Sequence, residues 1–182
     1  MKRLLVTLLF MSALVVNAQE FMGVKVAGTA ASAIAQFKTK GFTLIEQSEQ
    51  VASMKGIGLG GKQLELNIVY SPKSKTVWKF SIYLPEQTTW YGLKSEYKTY
   101  LQSLTAKYGE PKDSYDFFSS PYEEGDGYEM SAVSLEKCVY AAYFNNVSIN
   151  ISQFKQVNIS YENSANLAIS KRERESINQN QL

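Results

Sequence analysis

The sequence predicts an α+β domain with a mostly antiparallel sheet and helices packed on one of its faces. Two segments space their apolar residues as helices do, and each ends at a lysine followed closely by a glycine. Each segment is followed by runs in which apolar and polar residues alternate, the pattern of strands. The order of helix and then strands therefore occurs twice, in the half-repeats 24–86 and 87–163. A single domain over residues 19–178 with a C-terminal helical tail follows from this order.

The second helix, within Trp90–Pro111, has the clearest pattern in the chain. Thr88 or Thr89 can cap its first turn, Gly109 can adopt the left-handed conformation that ends a helix, and Pro111 forbids continuation. Its apolar residues lie on one side at helical spacing: Leu93, Tyr97, Tyr100, Leu101, Leu104 and Tyr108. This pattern predicts a helix packed on the sheet, and a ring-stacking surface made by its tyrosines is the alternative.

The first helix is expected to begin after Gly28 or Thr29 and to run to about Thr39, with Gly41 beyond its end. A third helix is expected from Ser164 to about Ile177. Between the helices, extended runs are predicted at 42–47, in a short segment before residue 54, and at 63–70, 77–84, 114–118, 130–135 leading into 137–144, 146–152 and 156–161.

Residues 1–18 have the pattern of a secretory signal peptide. Lys2 and Arg3 precede an apolar stretch from Leu4 to Val16, and small residues precede a cut at Gln19. An uncleaved anchor is the alternative, although the stretch is short for a bilayer and no transmembrane segment is expected after signal removal. The pattern predicts a periplasmic or secreted protein.

Charge and residue types exclude several classes of function. Without the signal the chain has 17 basic and 17 acidic side chains, so nothing in its charge predicts nucleic-acid binding. It contains no histidine, which removes the commonest catalytic base and the commonest metal ligand. The single cysteine, Cys138, lies in an apolar run and is expected to be buried, with an intermolecular disulfide as the alternative.

A glycine-rich stretch resembles two nucleotide-binding motifs. Gly56, Gly58 and Gly61 match the dinucleotide fingerprint, and Gly56 with Gly61 and Lys62 approach the phosphate-binding loop. Both motifs require a helix immediately afterwards, and here a strand pattern follows. We therefore interpret the glycines as a bulged strand or wide hairpin, and we predict no cofactor.

The loop at residues 119–129 brings Glu123, Glu124, Asp126 and Glu129 close together in sequence. A solvated turn is the expected structure, and no metal site and no catalytic residue are predicted. Calcium binding and a carboxylate-based hydrolase remain the alternatives. The Asn-x-Ser triplets at Asn146, Asn150 and Asn158 are interpreted as the polar side of strands rather than as glycosylation sites.

Aromatic residues next to the second helix and the acidic loop are the candidate ligand-binding residues: Trp90, Tyr91, Tyr122 and Tyr128. Such side chains anchor sugars and protein partners, and they also build cores.

The chain resembles a family of small exported proteins of unknown function from Gram-negative bacteria, whose fold is similar to that of the beta-lactamase-inhibitor protein. Three features carry the resemblance. The sequence Lys-Gly-Phe begins at Lys40, at the end of the first helix, and the sequence Lys-Tyr-Gly-Glu-Pro begins at Lys107, at the end of the second. The third feature is the spacing of Tyr161 and Asn166. The resemblance implies a tandem α+β repeat and export, and it transfers no catalytic residue. It leads us to expect a non-catalytic module that binds a protein, a peptide or a glycan through its sheet face or loops, with an envelope structural or assembly role as a further alternative.

Overall fold

The structure, a computed structural model, describes residues 19–179, so the predicted signal peptide at residues 1–18 lies outside the described residues. The helices are α1 (Ala30–Thr39), α2 (Trp90–Tyr108), α3 (Glu129–Ser134) and α4 (Ser164–Gln179). The strands are β1 (Glu20–Phe21), β2 (Val24–Lys25), β3 (Thr43–Gln47), β4 (Val51–Gly58), β5 (Lys62–Tyr70), β6 (Val77–Tyr83), β7 (Asp113–Phe118), β8 (Cys138–Tyr143), β9 (Val147–Ile151) and β10 (Val157–Glu162).

An eight-stranded antiparallel sheet forms the centre of the fold, with the strand order β3-β4-β5-β6-β10-β9-β8-β7. Each half of the sheet is a meander of four strands that follow one another in the chain. The two meanders meet where β6 pairs antiparallel with β10 over five residue pairs, from Asn158 opposite Tyr83 to Glu162 opposite Lys79. The predicted α+β class is thus confirmed, and one sheet contains strands from both predicted halves.

The predicted ends of the long helices agree with the structure. The Thr29 hydroxyl accepts a hydrogen bond from the Ser32 N–H, and the Thr89 hydroxyl accepts one from the Gly92 N–H. These bonds satisfy donors that the first helical turn leaves without a partner. Gly109 ends α2 at φ +82°, a conformation that favours glycine. In the described part of the chain, no helix is long and apolar enough to cross a membrane.

Helices α1 and α2 pack on the same face of the sheet. The Phe37 ring of α1 lies 5.2 Å from the ring of Phe80 on β6, and the Tyr97 ring of α2 lies 5.7 Å from that of Tyr140 on β8. The strand residues under the helices are fully or nearly fully buried, because every second side chain of a strand points to this face. They include Leu64, Leu66, Ile68, Phe80, Ile82, Ile149 and Ile159.

Two further elements close the fold around β6. The β1–β2 hairpin places Phe21 between Phe37 and Tyr161, with ring centroids 6.1 and 6.0 Å away. Helix α4 is attached through Asn166, whose amide donates to the Val77 carbonyl at 2.7 Å. Near its other end, the Glu173 carboxylate accepts hydrogen bonds from the backbone N–H groups of the β5–β6 turn.

The prediction of an extended segment at 130–135 is wrong, because these residues form most of α3. Ala132 and Val133 are both buried, although they are neighbours in sequence. A strand would direct them to opposite faces, whereas a helical turn holds both against the sheet. The other predicted strands are present, with bounds that differ by a few residues, and β4 is longer than expected.

The glycine-rich stretch is a regular hairpin rather than a bulged strand. Gly58 lies directly opposite Lys62, and β4 and β5 pair without a shift of register. The turn consists of Leu59, Gly60 and Gly61, all at positive φ. Because β5 follows instead of a helix, the context for phosphate binding is not met.

A partly buried ion pair attaches α2 to this hairpin. Glu96 is buried on the sheet side of α2 and accepts hydrogen bonds from the Lys62 ammonium and, at 3.2 Å, from the Gln87 amide. The hydrogen bond to Glu96 raises the pKa of Lys62, so the Lys62 ammonium stays charged at neutral pH. The helical spacing of apolar residues did not indicate a buried carboxylate at this position.

Gly56 is expected to tolerate no larger residue, because a Cβ atom there would lie 2.5 Å from the Phe42 ring. We predict that Gly56→Ala lowers the free energy of unfolding by about 1–3 kcal/mol through overpacking. Gly58→Ala is the matched control, since its closest neighbours are flexible ends of Met22 and Leu64 at 3.0 Å. Gly58→Ala should change the free energy of unfolding, measured by urea titration, by less than about 1 kcal/mol. Equal losses would contradict the prediction.

Candidate binding face

The sheet face opposite α1 and α2, here called the open face, is the candidate functional surface. In β5 the side chains of Gln63, Glu65, Asn67 and Val69 point to it, while the alternate residues are buried under the helices. The strand register extends this assignment to every strand of the sheet.

Two rows of side chains cross the whole open face at successive positions of the register. The first row is Glu46, Ser53, Asn67, Ser81, Ser160, Ser148, Tyr143 and Asp113. The second row is Thr43, Lys55, Glu65, Tyr83, Asn158, Asn150, Ala141 and Tyr115.

The centre of the open face is polar, and its side chains are bonded to each other. The Ser53 hydroxyl donates to the Asn67 side-chain oxygen at 2.8 Å, and the hydroxyls of Ser81 and Ser160 lie 3.2 Å apart across the β6–β10 pair. The Asn158 amide donates to the Ile82 carbonyl at 3.1 Å. Ser160 is only 2% exposed. Because these short side chains have hydrogen-bond partners, they form a fixed polar centre of the open face.

Apolar side chains stand at both ends of the face. At the β3–β4 end, Ile45 and Ile57 are exposed, Ile57 at 64%. At the β7–β8 end, Phe117 and Tyr143 are 48% and 46% exposed, and the Tyr143 ring contacts that of Tyr115 at 6.2 Å. Single exposed apolar residues are ordinary, and grouped ones on one face make that face a candidate site of contact with another molecule.

Three shallow depressions follow one another along the open face. The first, of about 650 Å³, lies between Ile45, Ile57, Lys55 and Lys40. The second, of about 190 Å³, lies beside Tyr83 and Glu65. The third, of about 370 Å³, lies between Tyr83, Tyr143, Asn150 and Phe154. Lys55 and Gln63 line the first two, and Tyr83 lines the second and third, so the depressions form a continuous path.

The candidate residues from sequence lie elsewhere, around the N-terminal end of α2 and the acidic loop. Trp90 and Tyr122 are half-buried and pack against the core. The Trp90 ring lies 5.3 Å from that of Phe118 and 5.1 Å from that of Tyr140. Tyr91 and Tyr128 are 84% and 65% exposed. Two of the four side chains are therefore available to a ligand, and neither lies on the open face.

Glu124 holds the acidic loop against α2. Its carboxylate accepts hydrogen bonds from the Lys94 ammonium, from the Trp90 indole N–H at 3.2 Å and from the Tyr140 hydroxyl at 3.2 Å. The bond from Lys94 is the largest cause that lowers the pKa of Glu124. A carboxylate with a lowered pKa remains ionised at neutral pH and is poorly suited to donate a proton as a general acid.

Two further acids of the loop, Asp126 and Glu129, bond to its own backbone, whereas the Glu123 carboxylate has no partner in the described chain. Asp126 accepts hydrogen bonds from the N–H groups of Glu123 and Tyr128, and Glu129 accepts one from Gly125. Within residues 19–179, no group of three acidic or cysteine side chains is placed to hold a metal ion.

Cys138 is buried at the start of β8, which confirms the expectation from its apolar run. Burial raises the pKa of its thiol to about 12. Because thiolates rather than thiols are the nucleophiles, this cysteine is inert at neutral pH.

Sequence reasoning did not identify Ile57 and Tyr143, which are exposed at the two ends of the open face. Ile57 lies in the glycine-rich stretch, where the sequence predicts a regular strand only from residue 63 onward. Tyr143 belongs to an apolar run in which nearly every residue suggests burial. Strand alternation could have found it, since Tyr140 and Ala142 point to the helices and their neighbours must point away.

Comparisons of the chain with protein-family models, with curated proteins and with solved structures find no match.

We predict that Glu124→Gln weakens the pH dependence of stability. A carboxyl whose pKa is lowered by folding stabilises the protein above its ordinary pKa, and this contribution is lost as the pH falls through the folded value. Wild type should therefore lose more stability than the variant between about pH 6 and pH 3. At neutral pH the variant should be less stable by about 0.2–1 kcal/mol, as for an exposed pair.

Glu123→Gln is the matched control, because in the described chain the Glu123 carboxylate takes part in no ion pair or hydrogen bond. The free energy of unfolding of wild type, Glu124→Gln and Glu123→Gln is measured by chemical denaturation at several pH values. Identical pH profiles for wild type and Glu124→Gln would show that the Glu124 carboxylate is not held as the structure places it.

Proposed function

We propose that this chain is an exported, non-catalytic binding module that engages a protein partner across the open face of its sheet. The observation that carries the proposal is the pair of exposed apolar groups at the two ends of that face, Ile45 with Ile57 and Tyr115 with Phe117 and Tyr143. Interfaces combine such anchors with polar surroundings. Export rests on the signal-like residues 1–18.

A protein suits this face better than a glycan or a short peptide does. The path from Ile57 to Tyr143 crosses most of an eight-stranded sheet, and neighbouring strands lie about 4.8 Å apart. An occupant that contacts both ends must therefore extend over roughly 25 Å. Exposed isoleucines bind apolar side chains, whereas sugars are bound chiefly by aromatic rings and polar groups.

A carboxylate hydrolase is the alternative from sequence, and the arrangement of the acids favours binding over catalysis. Glu124 is paired with Lys94, Asp126 and Glu129 accept hydrogen bonds from their own loop, and of the four carboxylates only that of Glu123 is without a partner in the described chain. A hydrolase of this kind needs two cooperating carboxyls, one of which donates a proton.

We also propose that the chain arose by duplication and belongs to the exported family with a beta-lactamase-inhibitor-like fold. Each half has one long helix followed by four strands, with the short helix α3 inserted between β7 and β8 in the second half, and this repeated order supports the proposal. So does the sheet order, in which β6 and β10, the last strands of the two halves, meet at the centre.

Capture experiments with purified protein test the proposed face. We predict that Ile57→Ser and Tyr143→Ser each reduce recovery of a specific partner from cell-envelope extract by roughly tenfold or more, as expected for interface anchors. Both side chains are exposed, so the variants should retain stability within about 0.5 kcal/mol.

Tyr91→Ser is the matched control, since Tyr91 is an exposed aromatic on α2, away from the open face. It should leave recovery unchanged. Loss of the partner with Tyr91→Ser alone would place the site at the helix. Recovery of no specific partner by wild type would count against the proposed function itself.

A further inference from the structure

The outer edge of β7 is the least protected part of the sheet. Five of its six residues are exposed, and among the described residues β7 pairs with β8 alone, so its other side carries backbone groups without a strand partner there. Its six residue pairs with β8 follow one another without a shift, which leaves the strand straight and regular. The opposite edge differs, because β3 contains an irregularity between Leu44 and Glu46 that disrupts pairing.

The two sides of β7 present different chemistry. Tyr115 and Phe117 point to the open face, beside Ala141 and Val139 of β8. Asp116 points to the other face, opposite Tyr140, and is exposed there. Within the described chain, no lysine or arginine forms an ion pair with Asp113 or Asp116.

The half of the chain that contains β7 carries a net negative charge. Residues 87–163 contain ten acidic and six basic side chains, whereas residues 19–86 contain five acidic and eight basic ones. A second copy of this chain would bring the same negatively charged half to this edge, and like charges across an interface repel each other. A cationic strand would experience attraction instead.

We infer that β7 binds an extended segment of a partner protein by strand addition, and that this segment alternates basic with apolar residues. Added strands take their affinity from backbone hydrogen bonds and their specificity from alternate side chains. The apolar residues of the segment would lie beside Tyr115 and Phe117 on the open face, and its lysines or arginines beside Asp116 on the other. This inference rests on the proposed function and identifies the chemistry of the partner.

The direct test uses a capped eight-residue peptide in which lysine and valine alternate, with hydrogen exchange of the β7 amides as the readout. The peptide should protect these amides. Two control peptides should bind at least tenfold more weakly. One has the same composition with lysine and valine arranged in two-residue blocks, and the other has glutamate in place of each lysine. Asp116→Lys should abolish binding of the lysine peptide and permit binding of the glutamate peptide.

Glu46→Lys is the matched control, because it makes the same charge change on the exposed edge strand β3. It should leave the affinity of the lysine peptide within about threefold of wild type, because charges more than a Debye length apart are largely screened. Absence of β7 protection, or equal weakening by Asp116→Lys and Glu46→Lys, would overturn the inference.

Capture with the same variants separates this inference from the proposed function. If Tyr143→Ser loses the partner and Asp116→Lys retains it, the open face binds without β7 and the inference fails alone. If neither variant affects capture, the proposed function fails. Loss with both variants, together with β7 protection by the lysine peptide, supports both.

Discussion

The pairing of β6 with β10 is the interaction on which the rest of the structure depends. It joins two four-stranded meanders into one sheet and places Phe80 beside Tyr161 and Ile82 beside Ile159 on the helix face. Neither meander alone provides the surface that these residues form together. Phe21, Phe37 and Tyr161 then extend the same core to the N-terminal hairpin and to α1.

The same pairing explains why the open face has its composition. On that side of β6 and β10 the residues are Ser81, Ser160 and Asn158, whose side chains bond to one another and to the Ile82 carbonyl. A polar group that is buried by its neighbours must be hydrogen-bonded to avoid a large cost. These residues stabilise the centre of the sheet and leave its two ends to carry exposed apolar side chains. The open face therefore has a fixed polar centre and exposed apolar side chains at its two ends.

Much of this architecture could be predicted from the sequence, because helix ends and strand alternation are local signals. Thr29, Thr89 and Gly109 lie at the predicted helix boundaries, and the alternation in β5 indicated which side chains are buried. The helical segment α3 was missed, since six residues with two adjacent buried positions fit either structure. The buried Glu96 was missed because its partner Lys62 is 34 residues away in sequence.

The proposed binding face was harder to predict than the fold, for a physical reason. An exposed Tyr143 and a buried Tyr140 are the same residue type in the same strand, and only the position of the helices distinguishes them. Of the four aromatic residues that stood out in sequence, Trp90 and Tyr122 pack against the core and Trp90 also bonds to the acidic loop, whereas Tyr91 and Tyr128 are exposed. Local composition therefore mixed residues that stabilise the fold with exposed ones, while the strand register identified the side chains of the open face.

Native-state hydrogen exchange tests the central claim that one sheet unites both halves through β6 and β10. The account predicts that the amides of these two strands exchange most slowly, and only by the global unfolding that chemical denaturation measures. The strands at the edges, β3 and β7, should open more readily. Separate opening free energies for the two meanders, with early exchange in β6 and β10, would contradict the claim and show two units that fold independently.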